Sequence, residues 1–404
     1  MKLSNYRSHC LICKNVSKEV FDLGMHPYAD TFIPKDMLGL SEPCIPLKLG
    51  LCENCGQIQT LYESNSEERY NLYDYSYTSS NSNYSKNYWD EYAEFIKTNF
   101  KNKNLKILEI GCNDGYLIKN LLNYNYEVYG IDASEKMVSI CKHDGLNVEH
   151  GIFGSGHNMC ESKAGYFDVV IANNVLNHSN EPLEFVKSIS RILNSDGTFI
   201  FEQPYWGNTV RSLKLDQVYH EHVSYITAYS ALKLVEAANL FLDDAFLTEY
   251  HGGSLRSISK ISSAEVSDNA LKLIEDEKND GLFTTNFYET LEVKLKNHRN
   301  DFLKTFYNLK LNNPNAIFVG VGAAAKANTF LNYYKLDNTL LDFVTDISDH
   351  KIGKYTPQTR IEIIHDNELA GFNEVFAIIL SWNLPKSLIV NLKKINQNIK
   401  VIEL

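Results

Sequence analysis

The chain has 404 residues, 44% hydrophobic and 22% charged, a balance that excludes intrinsic disorder and leaves room for two or three domains. Lys and Arg number 39 against 50 Asp and Glu, and a net charge of −11 argues against a nucleic-acid partner. No apolar run reaches the ~18 residues of a membrane span, and the first seven residues lack an apolar signal core, so the expectation is a cytoplasmic protein without a membrane partner.

In chain order, residues 1–60 are rich in Cys, Gly and Pro and show no long periodic segment. They read as a small metal-stapled module, with residues 1–75 as the first domain. An aromatic stretch rich in Ser and Asn leads into a helical pattern over 88–100. Alternation then begins, with strands expected at 105–110, 127–131, 167–172 and 198–202 and helices at 116–124, 134–143 and 182–193. This is the pattern of a doubly wound α/β sheet. A helix at 228–239 and strands at 241–250 and 254–261 complete a second domain, 76–265. A polar helical stretch over 266–311 opens the third, 266–404. There strands at 316–319, 341–345, 374–380 and 400–404 alternate with helices.

Eight cysteines are present, and four form the pairs Cys10-x-x-Cys13 and Cys52-x-x-Cys55. A reducing compartment disfavours disulfides. Two residues between cysteines let one tight turn supply two thiolates, and four thiolates close a tetrahedral shell. The pairs predict a structural zinc with no open position for water. Cys44 reads as a buried small hydrophobe.

The 105–110 strand runs into Gly111-Cys112-Asn113-Asp114-Gly115 with Glu109 near its end, and Asp132 follows about twenty residues on. Glycines allow close backbone approach, and a carboxylate at the tip of the second strand accepts ribose hydroxyls. The turn lacks the glycine a pyrophosphate wants, which favours a nucleoside cofactor without phosphate, such as S-adenosylmethionine. The plain alternative is a strand–turn–helix in a core.

Tyr219-His220-Glu221-His222 gathers four polar groups in one segment after the 198–202 strand, where doubly wound sheets bind ligands. Histidine is the usual proton-transfer group near neutral pH. A second metal site and a surface loop are the competing readings. Gln203 and His178 occupy neighbouring loop positions. In the third domain, Gly320-Val321-Gly322-Ala323-Ala324-Ala325-Lys326 reads as strand, turn and helix. Lys326 and Asn328 lie where they would meet a diphosphate, and Asp346 imitates a ribose-binding acid. The alternatives are a nicotinamide site and a merely structural domain.

The 109–115 turn, Asp132 and Phe167-Asp168-Val169-Val170 resemble the successive motifs of class I S-adenosylmethionine-dependent methyltransferases. The whole chain resembles the sugar C-methyltransferases of deoxysugar biosynthesis, on the stretches 75–80, Asn177-His178, 202–205, 216–225, 251–256 and 320–329. The resemblance implies an N-terminal four-cysteine zinc domain, a central methyltransferase domain and a C-terminal Rossmann-like domain. It implies a nucleotide-linked 4-keto-6-deoxy sugar as substrate, methylated beside the ketone. It gives His222 as the base, with Tyr219, Glu221 and His178 around the sugar. Glu109, Gly111, Asn113, Gly115, Asp132, Asn173 and Tyr77 would hold the donor. Tyr75, Gln203, His220, His251, Lys326 and Asn328 would meet the substrate, with His220 alternatively structural. Two rivals remain: a methyltransferase acting on oxygen or nitrogen, and a zinc-ribbon protein that binds RNA.

Overall fold

Alternating apolar residues build the first layer. Phe21 and Leu23 of β1 (Lys18–His26) and Leu47, Leu49 and Leu51 of β2 (Ile45–Leu51) face one core. With β3 (Ile58–Thr60) they form an antiparallel sheet. Bulges between Glu19 and Phe21 and between Asp22 and Met25 break the apolar period along β1, which leaves no long periodic segment there for the sequence to show. This computed structural model describes residues 5–64, 78–80, 82–100, 104–381 and 385–402.

The central unit begins with α1 (Asn83–Asn99), capped by the Ser82 hydroxyl. It continues through β4 (Lys106–Ile110), α2 (Tyr116–Leu122), β5 (Glu127–Asp132), α3 (Glu135–His143) and β6 (Val148–His150). Then come β7 (Phe167–Asn173), α4 (Pro182–Ile192), β8 (Leu193–Pro204), β9 (Ser224–Tyr225), α5 (Ala228–Ala237), β10 (Phe241–Thr248) and β11 (Ser254–Lys260). Among the described residues the sheet order is β10-β11-β8-β7-β4-β5-β6. β11 runs antiparallel to both neighbours and the other pairings are parallel. The order reverses beside β4, where such sheets bind ligands at their carboxyl ends. Apolar clusters cover both faces. Glu202 of β8 and Arg256 of β11 face each other in register and pair through Nε and Oε2 at 2.7 Å, and the Arg256 guanidinium lies 4.0 Å from the Tyr92 ring.

β9 leaves this sheet altogether. Ser224 and Tyr225 pair with Gln59 and Ile58 of β3, adding a fourth strand to the N-terminal sheet. Besides β1, β2, β3 and β9, further strands of the described residues were not expected from the sequence. β6 and β14 (Ile363–His365) have three residues each, too few to show a period. The polar stretch after 266 is two helices, α6 (Asp268–Asn279) and α7 (Thr285–Asn312), parted at Gly281 with φ of 78°. Ala270 and Ile274 of α6 pack into the central unit's core.

The last unit is a parallel sheet built from β12 (Ile317–Val321), α8 (Ala325–Tyr334), β13 (Phe343–Asp346), β14, β15 (Val375–Ile379), α9 (Pro385–Ile395) and β16 (Ile399–Ile402). Its order is β14-β13-β12-β15-β16, with apolar clusters on both faces.

Candidate active site

The turn after β4 is held open by left-handed backbone. Gly111 and Gly115 both have φ of 72° and Asn113 has φ of 50°. A Cβ on Gly111 would run into Val175 and one on Gly115 into Leu146, so neither position admits a side chain. Asp132 ends β5 and braces the turn: Oδ2 accepts from Asn113 N and Oδ1 from Ser134 N, both at 2.8 Å. Burial pushes the Asp132 carboxyl above its ordinary range, and the two amide bonds oppose that shift.

A cleft of about 550 Å³ opens over this turn, lined by Glu109, Gly111, Asn113, Asp132, Asn173 and His178, with Trp89 and Phe153 as apolar walls. Glu109 is buried, and its Oε2 has no partner among the described residues. Burial raises its carboxyl well above the usual range, with the nearby Cys141, Asp114 and Asp132 adding to the shift. Asn173 Oδ1 accepts from the Tyr92 hydroxyl at 3.2 Å, while its Nδ2 is buried without a partner among the described residues. An orphaned carboxyl oxygen, an orphaned amide and a carboxylate at the strand tip suit an amino-acid–nucleoside donor, whose ammonium and ribose hydroxyls need such partners. S-adenosylmethionine fits this set. Ser79 and Ser80 were not singled out from the sequence. Their hydroxyls each bond an Asp114 oxygen at 2.5 Å, and Ser79 N donates to Asn113 Oδ1 at 2.7 Å. Their place in the 75–80 stretch was the available signal. Tyr75 and Tyr77 lie outside the described residues, as does the side chain of His251, whose backbone turns at 250–252.

The 219–222 block sits beside this cleft. His222 is 7% exposed. Its Nδ1 lies 3.0 Å from the Gln217 carbonyl, which only accepts, so Nδ1 carries the proton. Nε2 is then the acceptor, and the Tyr219 hydroxyl donates to it at 2.6 Å. The His178 ring, which lines the donor cleft, is 4.9 Å from the His222 ring. Gln203 is 1% exposed, and both its amide atoms are buried without a partner among the described residues.

Two members of the block face elsewhere. Glu221 Oε1 accepts from Ala29 N at 2.9 Å and Asp30 N at 3.3 Å, which ties the block to the N-terminal module. The His220 ring is 1% exposed and stands edge-on to Tyr28, and burial pushes it down to about 4. The ring thus faces the N-terminal module, and neither of its nitrogens has a hydrogen-bond partner among the described residues. Asn328 also reaches the N-terminal module: its Nδ2 donates to Ala29 O at 2.5 Å, while its Oδ1 is buried with no partner among the described residues. Burial lowers Lys326 to about 8, with Asp216 opposing and Lys214 adding to the shift.

Cys10, Cys13, Cys52 and Cys55 bring their Sγ atoms within 4.8 Å of one another. The Cys10–Cys55 and Cys13–Cys52 separations are 3.5 and 3.4 Å, close to the ~3.8 Å edge of a tetrahedron with 2.3 Å zinc–sulfur bonds. Ile12 N and Asn15 Nδ2 point at sulfurs from 3.3 Å, as thiolate ligands require. The set fits zinc. Cys44 is half-buried, which corrects the expectation of a buried residue.

This fold, its switch-point cleft and its donor set define a class I S-adenosylmethionine-dependent methyltransferase. Family models agree in tandem: a zinc binding domain at residues 10–70, a methyltransferase domain at 84–244 and a C-methyltransferase C-terminal domain at 249–402. In the identity and order of these three domains the chain is similar to C-methyltransferases. It is 23% identical over 295 residues to the C-methyltransferase NovU of Streptomyces niveus, covering 72% of this chain and 70% of that protein. Over 112 residues it is 29% identical to a ubiquinone biosynthesis O-methyltransferase of Methylococcus capsulatus, 27% of this chain and 47% of that one. Among solved structures, magnesium protoporphyrin IX methyltransferase from Synechocystis PCC 6803 has a TM-score of 0.36 at 16% identity, covering 44% of this chain and 83% of that one. No helix of the described residues is long and apolar enough to cross a membrane.

Proposed function

We propose that the chain methylates carbon in a nucleotide-linked 4-keto-6-deoxy sugar, at the position beside the ketone, in the cytoplasm. The observation that carries this reading is the His222 ring, with its tautomer set by Gln217 O and its Nε2 turned toward Tyr219 next to the donor cleft. A carbon nucleophile needs a base for the proton α to a carbonyl and a donor for the enolate oxygen. The Tyr219 hydroxyl gives up its bond to Nε2, whose single lone pair then takes the α proton, leaving an enolate on the sugar and an imidazolium on the chain. The Tyr219 hydroxyl orients that nitrogen, and His178 stands near the developing oxyanion. The buried Gln203 amide, lacking a protein partner, suits sugar hydroxyls. S-adenosylmethionine supplies an electrophilic methyl group at the cleft held by Glu109, Asp132 and Asn173. The enolate carbon would take that methyl as the methyl–sulfur bond breaks, with S-adenosylhomocysteine as leaving group and the imidazolium then losing its proton to solvent.

The test is product analysis by NMR after incubation with S-adenosylmethionine and a panel of nucleotide 4-keto-6-deoxy sugars. A new carbon-bound methyl beside C4 is expected, and His222→Asn should lower turnover by roughly a hundredfold or more. Methyl transfer to oxygen, or none with any such sugar, overturns the reading.

A further inference from the structure

The segment that carries Tyr219 and His222 has little regular structure of its own, and its shape is imposed by neighbours. His220 O accepts from the Ser64 hydroxyl at 3.1 Å and Val223 O from Thr60 N at 2.9 Å, both from the N-terminal module. Val223 N donates to Asn177 O at 2.6 Å, within the central unit. The third domain makes its own attachment. Thr329, in the second turn of α8 and 3% exposed, donates its hydroxyl to Val218 O at 2.8 Å. Its neighbour Asn328 donates to Ala29 O, and Ala29 N donates in turn to Glu221 Oε1. Helix α8 therefore holds the segment on both sides of Tyr219, directly at residue 218 and through Ala29 at residue 221.

Val218 lies between the carbonyl that fixes the His222 tautomer and the tyrosine that bonds Nε2. A buried carbonyl that loses its donor turns to find another. Turning at residue 218 would move the Gln217 carbonyl and the Tyr219 hydroxyl together. We propose that Thr329 is a positioning residue for methyl transfer: its hydroxyl holds the 217–219 backbone in the one shape that presents the His222 Nε2 to the acceptor. The α8 segment after the glycine turn thereby serves the methyltransferase centre from another domain. This rests on the reading of His222 as the base.

The test compares Thr329→Val, which keeps shape and loses the hydroxyl, with Thr329→Ser, which keeps the hydroxyl. Full-length zinc-loaded protein labelled with 15N-histidine reports the His222 tautomer without any acceptor. Wild type and Thr329→Ser should show Nδ1–H with Nε2 accepting, and Thr329→Val a mixture of tautomers. With a thymidine diphosphate-linked 4-keto-6-deoxyhexose as acceptor probe, Thr329→Val should lose roughly tenfold or more in kcat, since small displacements of a reacting group are costly. S-adenosylhomocysteine affinity should stay within about twofold, which certifies the fold, and Thr329→Ala replaces the variant if it does not. A wild-type tautomer and wild-type kcat in Thr329→Val overturn the proposal while leaving His222 as the base. Unchanged turnover in His222→Asn instead overturns the base, and the tautomer spectrum still decides whether Thr329 holds the segment.

Discussion

Two glycine turns in this molecule are built alike and surrounded differently. After β4, Asp132 takes the amide of Asn113 on one oxygen and that of Ser134 on the other. After β12, Asp346 takes the amides of Ala323 and Ser348 at 2.8 and 2.9 Å in the same arrangement. The first turn is ringed by Glu109 and Asp114 and opens onto the 550 Å³ cleft. At the second, the Lys351 ammonium donates to Ala323 O at 2.7 Å and lies 3.9 Å from Asp346. The helix that follows it spends Asn328 and Thr329 on neighbouring segments. The same strand–turn–helix device thus opens a carboxylate onto a cleft in one domain, and in the other is braced by a lysine and bonds the backbone at Ala29 and Val218. The acid at the strand tip does not by itself make a nucleoside site; the groups around it do.

The largest effect that sharpens this contrast lies outside both turns. The purified protein should hold about one zinc per chain by elemental analysis. Because β9 pairs with the zinc-bearing module, Cys52→Ser or chelation should abolish most turnover while donor affinity at the first turn survives. Loss of donor affinity in step with turnover would show that the module supports the whole central unit. Next in size is Asp132→Ala. Calorimetry should show donor affinity falling roughly tenfold or more, since a charge-assisted bond is worth about 1.5–3 kcal/mol. Asp346→Ala should leave donor affinity within about twofold and instead cost about 1–3 kcal/mol of stability, seen as a lowered denaturation midpoint, through two deprived amides. Equal effects of the two variants on donor binding would break the comparison.

The smallest expected effect is a proton. Burial raises the Glu109 pKa in the donor-free protein, with the nearby Cys141, Asp114 and Asp132 adding to the shift. A cationic donor favours the carboxylate, so binding should release protons, and affinity should rise as pH rises through the range where Glu109 titrates. Titrations of S-adenosylmethionine in buffers of different ionisation enthalpy should show this, and Glu109→Gln should abolish it. Buffer-independent heats in the wild type would contradict it.

Much of this was legible in the chain because it rests on local rules. CxxC spacing, the turn at 111–115 and an aspartate at the tip of the next strand are patterns of a few residues each. The long parallel strands show as apolar runs bounded by turns. What was not legible depends on partners far along the chain. Ser224 and Tyr225 join a sheet begun two hundred residues earlier. Asn328 has the position of a phosphate ligand, but a carbonyl at residue 29 claims its amide. His220 and His222 are two residues apart, yet the loop turns one ring into the N-terminal module and the other toward the donor cleft. Ser79 and Ser80 matter because Asp114 lies opposite them, which no spacing rule reveals.

The central claim is that His222 removes a proton beside a ketone. It is tested most directly by following exchange of the α proton of a nucleotide 4-keto-6-deoxy sugar with deuterated water, by NMR, with S-adenosylhomocysteine bound so that no methyl can be transferred. Wild-type protein should exchange that proton at its carbon, and His222→Asn, still binding S-adenosylhomocysteine, should show no exchange above the protein-free rate. Undiminished exchange in the variant would assign proton removal to another residue and contradict the account.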